Sequence, residues 1–505
     1  MTTIINTKIG VAKGGVARIW IEGQKLIHGG IRIGAEYVLR SDAVNKRLEM
    51  VEASDATQGD AKFTVSKRER NGVIAPLLEI RTDLIAKVFA GCEKVRVAIR
   101  AGRIIISALQ IEVKIRERLE RIKRKLASKE RLSCGSLFHG GGVLDSALHR
   151  GLMAAGIAAF IQVGVEIESE YLDSSLRNNP DLWTSDSIAI NSDIQDLCLG
   201  ATVPQLDLVV GGVPCTGASV SGRAKNKLKM AEDHSSAGSL FYDYLEFVKA
   251  SNPALVLLEN VPQYANTASM SVIRSKLTQW GYKVYETVLS GPQFGAIEAR
   301  DRLVMVAVTV GFSSSEFVFP NTHPSVLSGV VRKLGDVLED VPLDSDRWKS
   351  YDYLVEKEKS DIAKGKGFRR QLVTADSTIV GTIGRGYAKA RSTEPFVQHP
   401  TDPLLSRLLS EVEHARVKGI PEHTAAGVSS TIAHEIYGQS VIYTVFEAVG
   451  FALGCYALGV SMPDVYFNPA LAVASEGPVG DEVAEEASET LTDDHEPVQA
   501  DLLVA

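Results

Sequence analysis

Cysteine is scarce in this chain and poorly placed for cross-linking. The five cysteines, Cys92, Cys134, Cys198, Cys215 and Cys455, are odd in number and include no CxxC pair, which argues against a disulfide framework and against a zinc site. Long apolar runs are also missing: none approaches the ~20 residues of a membrane span. The start, Met1-Thr-Thr-Ile-Ile-Asn6, lacks the basic and apolar regions of a signal peptide. The expectation is a cytoplasmic protein with no membrane partner and no metal. Basic residues are absent from one stretch: residues 476–505 hold ten Asp or Glu and no Lys or Arg. The net charge of −7 is therefore an average, and without that stretch the body is at +3.

What remains is ordinary globular material, 45% apolar and 23% charged over 505 residues, enough for two to four domains. Residues 1–130 carry 26 Lys or Arg against 15 Asp or Glu, a surplus that suits a polyanionic partner as readily as a solvated surface. Residues 1–108 read as a small basic β-rich unit, with Ala17-Arg-Ile-Trp-Ile-Glu22 alternating and glycines punctuating at Gly23, Gly29-Gly30 and Gly34. A faint echo runs through it. Leu26-Ile27 leads to Gly34-Ala-Glu-Tyr-Val38, and Leu84-Ile85 leads to Gly91-Cys-Glu-Lys-Val95, with spacings that differ by one residue. The pattern loosely resembles the AbrB-like β modules of DNA-binding regulators. Residues 109–130 form a basic connecting helix, with Ile111, Ile115, Leu119 and Ile122 on one face and Arg118, Arg121 and Lys125 on the other. That charged face is expected to meet solvent or phosphate.

From 131 the texture changes to apolar runs separated by helical stretches. The runs are Ile161–Val165, Leu206–Val210, Ala254–Leu258 and Leu303–Val308. This alternation implies an α/β domain with a mostly parallel sheet covered on both faces. An apolar helix returns at Val441–Leu458, and residues 468–505 form an acidic tail, expected to be disordered.

Six short segments carry chemistry. In Ser136-Leu-Phe-His-Gly-Gly-Gly-Val-Leu144 a short strand runs into glycines and then a helix, which lets a ligand approach backbone amides at a helix start. Glu166 ends the next strand, where an acid can accept from both ribose hydroxyls of a nucleoside cofactor, and Ser192-Asp193-Ile194 is a polar turn suited to an adenine amino group. Each acid alone is more often a surface residue; in series after the glycine loop they describe a nucleoside pocket. Asp207-Leu-Val-Val-Gly-Gly-Val-Pro-Cys-Thr-Gly217 would be an ordinary strand and turn but for Pro214-Cys215, which sets a thiol at the strand end, a poor place for a core cysteine. Glu259-Asn260-Val261 ends another strand in an acid, and Glu298-Ala-Arg300-Asp-Arg302 sets two arginines at i, i+2, expected to point the same way.

Taken in order, these segments resemble the cytosine-5 DNA methyltransferase family. Phe138, Gly140 and Gly142 fit its cofactor loop, Glu166, Asp193 and Ile194 its ribose and adenine contacts, Pro214-Cys215 its nucleophile motif, Glu259 its acid motif, and Arg300 and Arg302 the arginines that follow. Arg407–Arg416 with Gly419-Ile-Pro421 resembles its late motif, and Gly438-Gln439-Ser440-Val441 the last one, which returns to the cofactor. The resemblance implies a Rossmann-like catalytic domain over 131–312, completed by 426–467. It implies an inserted target-recognition domain over 313–425, with Thr382 and Arg385 as DNA contacts, and basic residues Arg223, Lys225 and Lys227 closing over DNA. It further implies S-adenosylmethionine as donor, double-stranded DNA as partner, Cys215, Glu259, Arg300 and Arg302 as catalytic residues, and a bacterial or phage-type protein near the nucleoid.

Three motifs depart from the family pattern. Thr216 and Ala218-Ser219 replace its usual residues after Pro-Cys, Glu298 replaces a Gln, and Gln439 replaces an Asn. The first alters the loop bearing the thiol; the others bear on the base and cofactor pockets rather than the reaction class. RNA cytosine as acceptor, an altered donor, and a regulator acting through its N-terminal unit stay open as alternatives.

Overall fold

The computed structural model describes residues 1–467, apart from 43–45, 56–60, 101, 201–202, 215–230, 234–237, 329–331 and 366–367. The acidic stretch 468–505, expected to be disordered, lies outside the described residues. Alternating side chains build the N-terminal unit. Its elements are β1 (Thr3–Lys8), β2 (Gly10–Val11), β3 (Ala17–Glu22), α1 (Gln24–His28), β4 (Glu36–Asp42) and β5 (Arg47–Glu52), then β6 (Lys62–Thr64), β7 (Ser66–Arg70), β8 (Val73–Arg81), α2 (Asp83–Val88), β9 (Lys94–Arg100) and β10 (Arg103–Ala108). The second half repeats the first. The sheets run β2-β3-β8-β7 and β1-β9-β10-β5-β4-β6, so equivalent strands β3/β8 and β5/β10 pair at the centre of each, as a pseudo-twofold requires. The faint echo in the sequence is thus a structural duplication. Tyr37 and Val95 both enter the shared core with Ile19, Met50, Leu78 and Ile104. Tyr37, not Val38, is therefore the counterpart of Val95, since a one-residue slip would turn the strand over.

α3 (Gln110–Ser128) corresponds to the expected connecting helix, but of its basic residues only some stay at the surface, such as Lys123 and Arg124, while Arg118, Arg121 and Lys125 turn to partners within the protein. Arg118 is buried and donates to Thr309 Oγ1 at 2.7 Å and to the Trp280 and Gly281 carbonyls. Arg121 Nε and Lys125 Nζ lie 3.1 and 2.5 Å from the carboxylate of fully buried Asp207. The cause is desolvation: Asp207 sits at the foot of the next domain's sheet, where an unpaired carboxylate is costly.

That sheet comprises β11 (Leu132–Leu137), β12 (Ala159–Glu166), β13 (Ile188–Asn191), β14 (Leu208–Gly212), β15 (Leu255–Asn260), β16 (Tyr282–Ser290) and β17 (Asp301–Thr309). Its order is β13-β12-β11-β14-β15-β17-β16, with only β17 antiparallel to its neighbours. This is the mostly parallel sheet expected from the apolar runs, in the Rossmann-like arrangement that the family resemblance implies. The chain proceeds outward from β11 in one direction and then resumes beside it at β14, so the strand order reverses between β11 and β14. Ligands of such sheets bind at the carboxyl edge at that point.

α4 (Val143–Ala154) covers one face and is crossed by the helix Tyr443–Leu458. The crossing needs small residues, because a Cβ on Gly151 would overlap the Glu447 carbonyl and one on Gly450 the Leu148 carbonyl. Between β17 and that helix, β18 (Lys349–Ser350), β19 (Gln371–Val373), β20 (Pro395–Gln398) and β21 (Leu405–Arg407) make a sheet of order β18-β21-β20-β19. Ile297, Val380, Ile383, Tyr387 and Val417 pack beneath it.

Candidate active site

The glycine loop leaves β11 through Phe138, whose φ of +57° is unusual for a residue with a Cβ. Gly140 and Gly142 follow, also at positive φ. A Cβ on Gly142 would sit 2.5 Å from Ser175 Oγ and 3.0 Å from His139 Nε2. The loop is propped from below by buried polar groups: Asp145 accepts from Ser136 Oγ at 2.6 Å and His139 Nδ1 at 3.1 Å, and His139 Nε2 meets Ser175 Oγ at 2.7 Å. Sequence reasoning missed this network; a His, an Asp and two Ser around a buried turn gave no spacing signal.

Glu166, at the end of β12, accepts from the Gly140 amide at 2.6 Å and the Glu168 amide at 3.0 Å. One carboxylate has about four acceptor positions, so Glu166 retains capacity for hydroxyl donors. Beyond it Asp193 is half-exposed and holds the Gln195 amide at 3.0 Å, with Ile194 buried behind it. The last motif closes the same edge. Gln439 Nε2 would lie 3.4 Å from a Cβ on Gly140, and Ser440 Oγ donates to the Tyr437 carbonyl at 2.7 Å. Gly140, Glu166, Asp193 and Gln439 therefore frame one cradle, and the glycine leaves the space a Cβ would fill. A nucleoside-containing cofactor fits these donors and acceptors.

The neighbouring strand end carries the nucleophile motif. Pro214 is half-buried; Cys215, Thr216, Ala218, Ser219, Arg223, Lys225 and Lys227 lie outside the described residues. The approach to Cys215 is tethered by Asn260, a buried side chain whose Nδ2 donates to the Val213 carbonyl at 3.0 Å while its Oδ1 accepts from Val261 N at 2.9 Å. Asn260 stood within the acid motif without an assigned role; an amide at a buried strand end was the available signal. Beside it, Glu259 Oε1 and Arg302 Nε form an ion pair at 2.7 Å, with both side chains about 14% exposed or less. Gly212 faces them, and a Cβ there would press on Glu259 Oε2 at 3.2 Å.

Arg300 does not share the direction of Arg302. It precedes β17, so strand alternation has not begun, and it turns inward to donate to Glu298 Oε1 at 3.1 Å, the Ile383 carbonyl at 3.2 Å and the Gly438 carbonyl at 3.1 Å. Fully buried Lys418 sits 2.8 Å from Glu298 Oε2. Burial and nearby Arg300 push the Lys418 ammonium down to about 7 against the pull of Glu298. Glu298 Oε1 also accepts from Ile383 N at 3.1 Å. At the same junction Thr382 Oγ1 donates to the Ala299 carbonyl at 2.6 Å, and a Cβ on Gly438 would overlap the Gly384 carbonyl. Arg385 reaches back to Glu168 at 2.9 Å and Glu435 at 3.4 Å. Lys418 gave no sequence signal, since a lysine is rarely buried.

Residues 132–455 match the family model of C-5 cytosine-specific DNA methylases. The chain belongs to this family. Among curated proteins it is similar to the type II methyltransferase M.NlaX of Neisseria lactamica, 32% identical over 257 residues covering 49% of this chain and 76% of that one. It is also similar to M.HhaI of Haemophilus parahaemolyticus, 25% identical over 265 residues covering 50% and 77%. Solved structures share the fold: S. pombe Dnmt2 methyltransferase at TM-score 0.50 and 19% identity, covering 65% of this chain and 99% of that one, and Entamoeba histolytica methyltransferase EhMeth at 0.51 and 16%, covering 65% and 98%. As a C-5 methylase the protein is a DNA cytosine-5-methyltransferase. Its first 131 residues lie outside the family match.

Proposed function

We propose that the protein methylates C5 of cytosine in double-stranded DNA through a covalent adduct between Cys215 and C6 of a base rotated out of the helix. The observation that carries this reading is the joining of two strand ends: Glu259 pairs with Arg302, and the adjacent Asn260 holds the carbonyl two residues before Cys215. In this reading the Cys215 thiolate adds to C6, and the electron pair moves into the ring. Glu259 engages N3 and the exocyclic amine and Arg302 the O2 carbonyl, stabilising that charge. Phe138, Gly140, Gly142, Glu166, Asp193, Ile194, Pro214, Gln439 and Ser440 would hold S-adenosylmethionine, which would supply an electrophilic methyl group as its S–CH3 bond breaks and would leave as the neutral thioether. C5 takes the methyl, a base removes the C5 proton, and the C6–S bond breaks to return the thiolate. Such contacts cannot be made inside a stacked duplex, hence the flipped base.

Residues 131–312 and 426–467 would form the catalytic domain, 313–425 the target-recognition domain, and Arg223, Lys225 and Lys227 would close on DNA. Arg300 is a positioning residue in this account: it clamps the Ile383 and Gly438 carbonyls, joining recognition region to cofactor motif. The test is Cys215→Ser with labelled donor. Methyl transfer should vanish while donor binding persists; near-normal turnover would overturn the assignment.

A further inference from the structure

The pseudo-twofold of the N-terminal unit supplies its own control. Strand pairing within the six-stranded sheet sets Lys8 opposite Lys94, Asn6 opposite Arg96 and Arg100 opposite Arg103. The inward residues of these strands are core members Val95, Val97, Ile99, Ile104 and Ile106, so the alternating set faces outward. The outward positions of β1, β9 and β10 thus carry Lys8, Lys94, Arg96, Arg100 and Arg103 and no acid, all five exposed. The equivalent positions of β6, β4 and β5 carry Lys62, Arg40 and Arg47 balanced by Glu36, Asp42 and Glu49. One backbone frame therefore bears a basic half and a neutral half.

The basic half is held against its own repulsion. Lys8–Lys94 and Arg100–Arg103 are like charges directly opposed across strands, an arrangement that costs stability. Arg103 is partly relieved by Glu49, whereas Lys62 of the sister half has Glu36 at 3.5 Å. Folding alone does not call for such a face, but an external polyanion does.

We infer that the outward face of β1, β9 and β10 is a second DNA-binding surface, taking the phosphate backbone of duplex DNA outside the target site. The choice of DNA rests on the chain's membership among DNA methylases; the charge asymmetry is independent of it. Spaced two residues apart, Lys94 and Arg96 stand about 6.6 Å from each other along β9, and Arg100 extends the row. Contacts of this kind position without reading sequence. They would hold the enzyme on DNA between encounters with its site.

The test is equilibrium binding to a duplex lacking the target cytosine, read across salt concentration without turnover. It therefore stands whether or not the Cys215 chemistry does. Replacing Lys8, Lys94, Arg96 and Arg100 by Gln should flatten the slope of log K against log salt by up to about 3.6, at roughly 0.9 per lost phosphate contact. Thermal stability should hold or rise as repulsion is relieved. Arg40→Gln with Lys62→Gln in the sister half should leave the slope unchanged. An unaltered slope in the four-fold variant, equal flattening in both variants, or a flattening seen with duplex RNA but not with DNA would overturn the inference.

Discussion

A single amide side chain couples the two chemical strand ends. Asn260 cannot be replaced without leaving the Val213 carbonyl unpaired, at a cost of about 1–3 kcal/mol, and that carbonyl fixes the approach to Cys215. Asn260→Ala should therefore lower kcat on the order of 10²-fold, the scale of a misplaced reacting group, with donor affinity little changed. Single-turnover rates beside equilibrium donor binding separate the two, and a variant with unaltered single-turnover rate would remove Asn260 from the account. The Glu298–Lys418 pair makes a different claim. Glu298→Gln restores the residue usual in the family but strands Lys418 in the interior; losing one partner of a buried pair costs about 3–5 kcal/mol. Because burial already depresses the Lys418 ammonium, the stranded lysine is neutral at high pH and must be charged at low pH. The variant's stability deficit should therefore grow as pH falls. Denaturant titrations at several pH values measure it, and Lys418→Met in the same chain should recover most of the loss. A double variant no more stable than Glu298→Gln would contradict this.

Among the elements, α3 best separates what sequence reveals from what it hides. Its length and apolar stripe were legible, because helical periodicity is local. The fate of Arg118, Arg121 and Lys125 was not, because a basic helix face looks the same whether its partner is solvent, phosphate or a buried acid far along the chain. Asp207 likewise stood at the start of a strand motif with nothing to mark it as buried. The same rule covers the site: the positions of Gly140, Glu166, Pro214 and Glu259 were readable because each lies at or just beyond the carboxyl end of a strand, whereas the direction of Arg300 was not, because the start of β17 was not fixed. A cut that removes α3 tests its structural role. A chain starting at Leu109 should retain the catalytic domain's thermal stability, while one starting at Lys129 leaves buried Asp207 with its Ser133 hydrogen bonds but without Arg121 and Lys125, and should unfold markedly earlier. Equal unfolding temperatures would show that α3 contributes nothing to the domain it covers.

At the scale of the whole molecule, charge is distributed against its average. The N-terminal unit and α3 together are strongly basic, and residues 476–505 are strongly acidic. Deleting 476–505 removes ten negative charges and should tighten non-specific DNA binding at low salt, the difference fading as salt screens it. Weaker binding after the deletion would mean that the acidic stretch supports the DNA-bound state. The central claim is narrower: that Cys215 bonds to the target base. A duplex with 5-fluorocytosine at the methylated position cannot release the C5 substituent as a proton, so the adduct should persist. The account predicts a denaturation-resistant, donor-dependent complex of one protein and one duplex, with the DNA mapped to Cys215 and no complex from Cys215→Ser. Turnover on normal DNA with no trapped complex, or trapping that survives in Cys215→Ser, would contradict it.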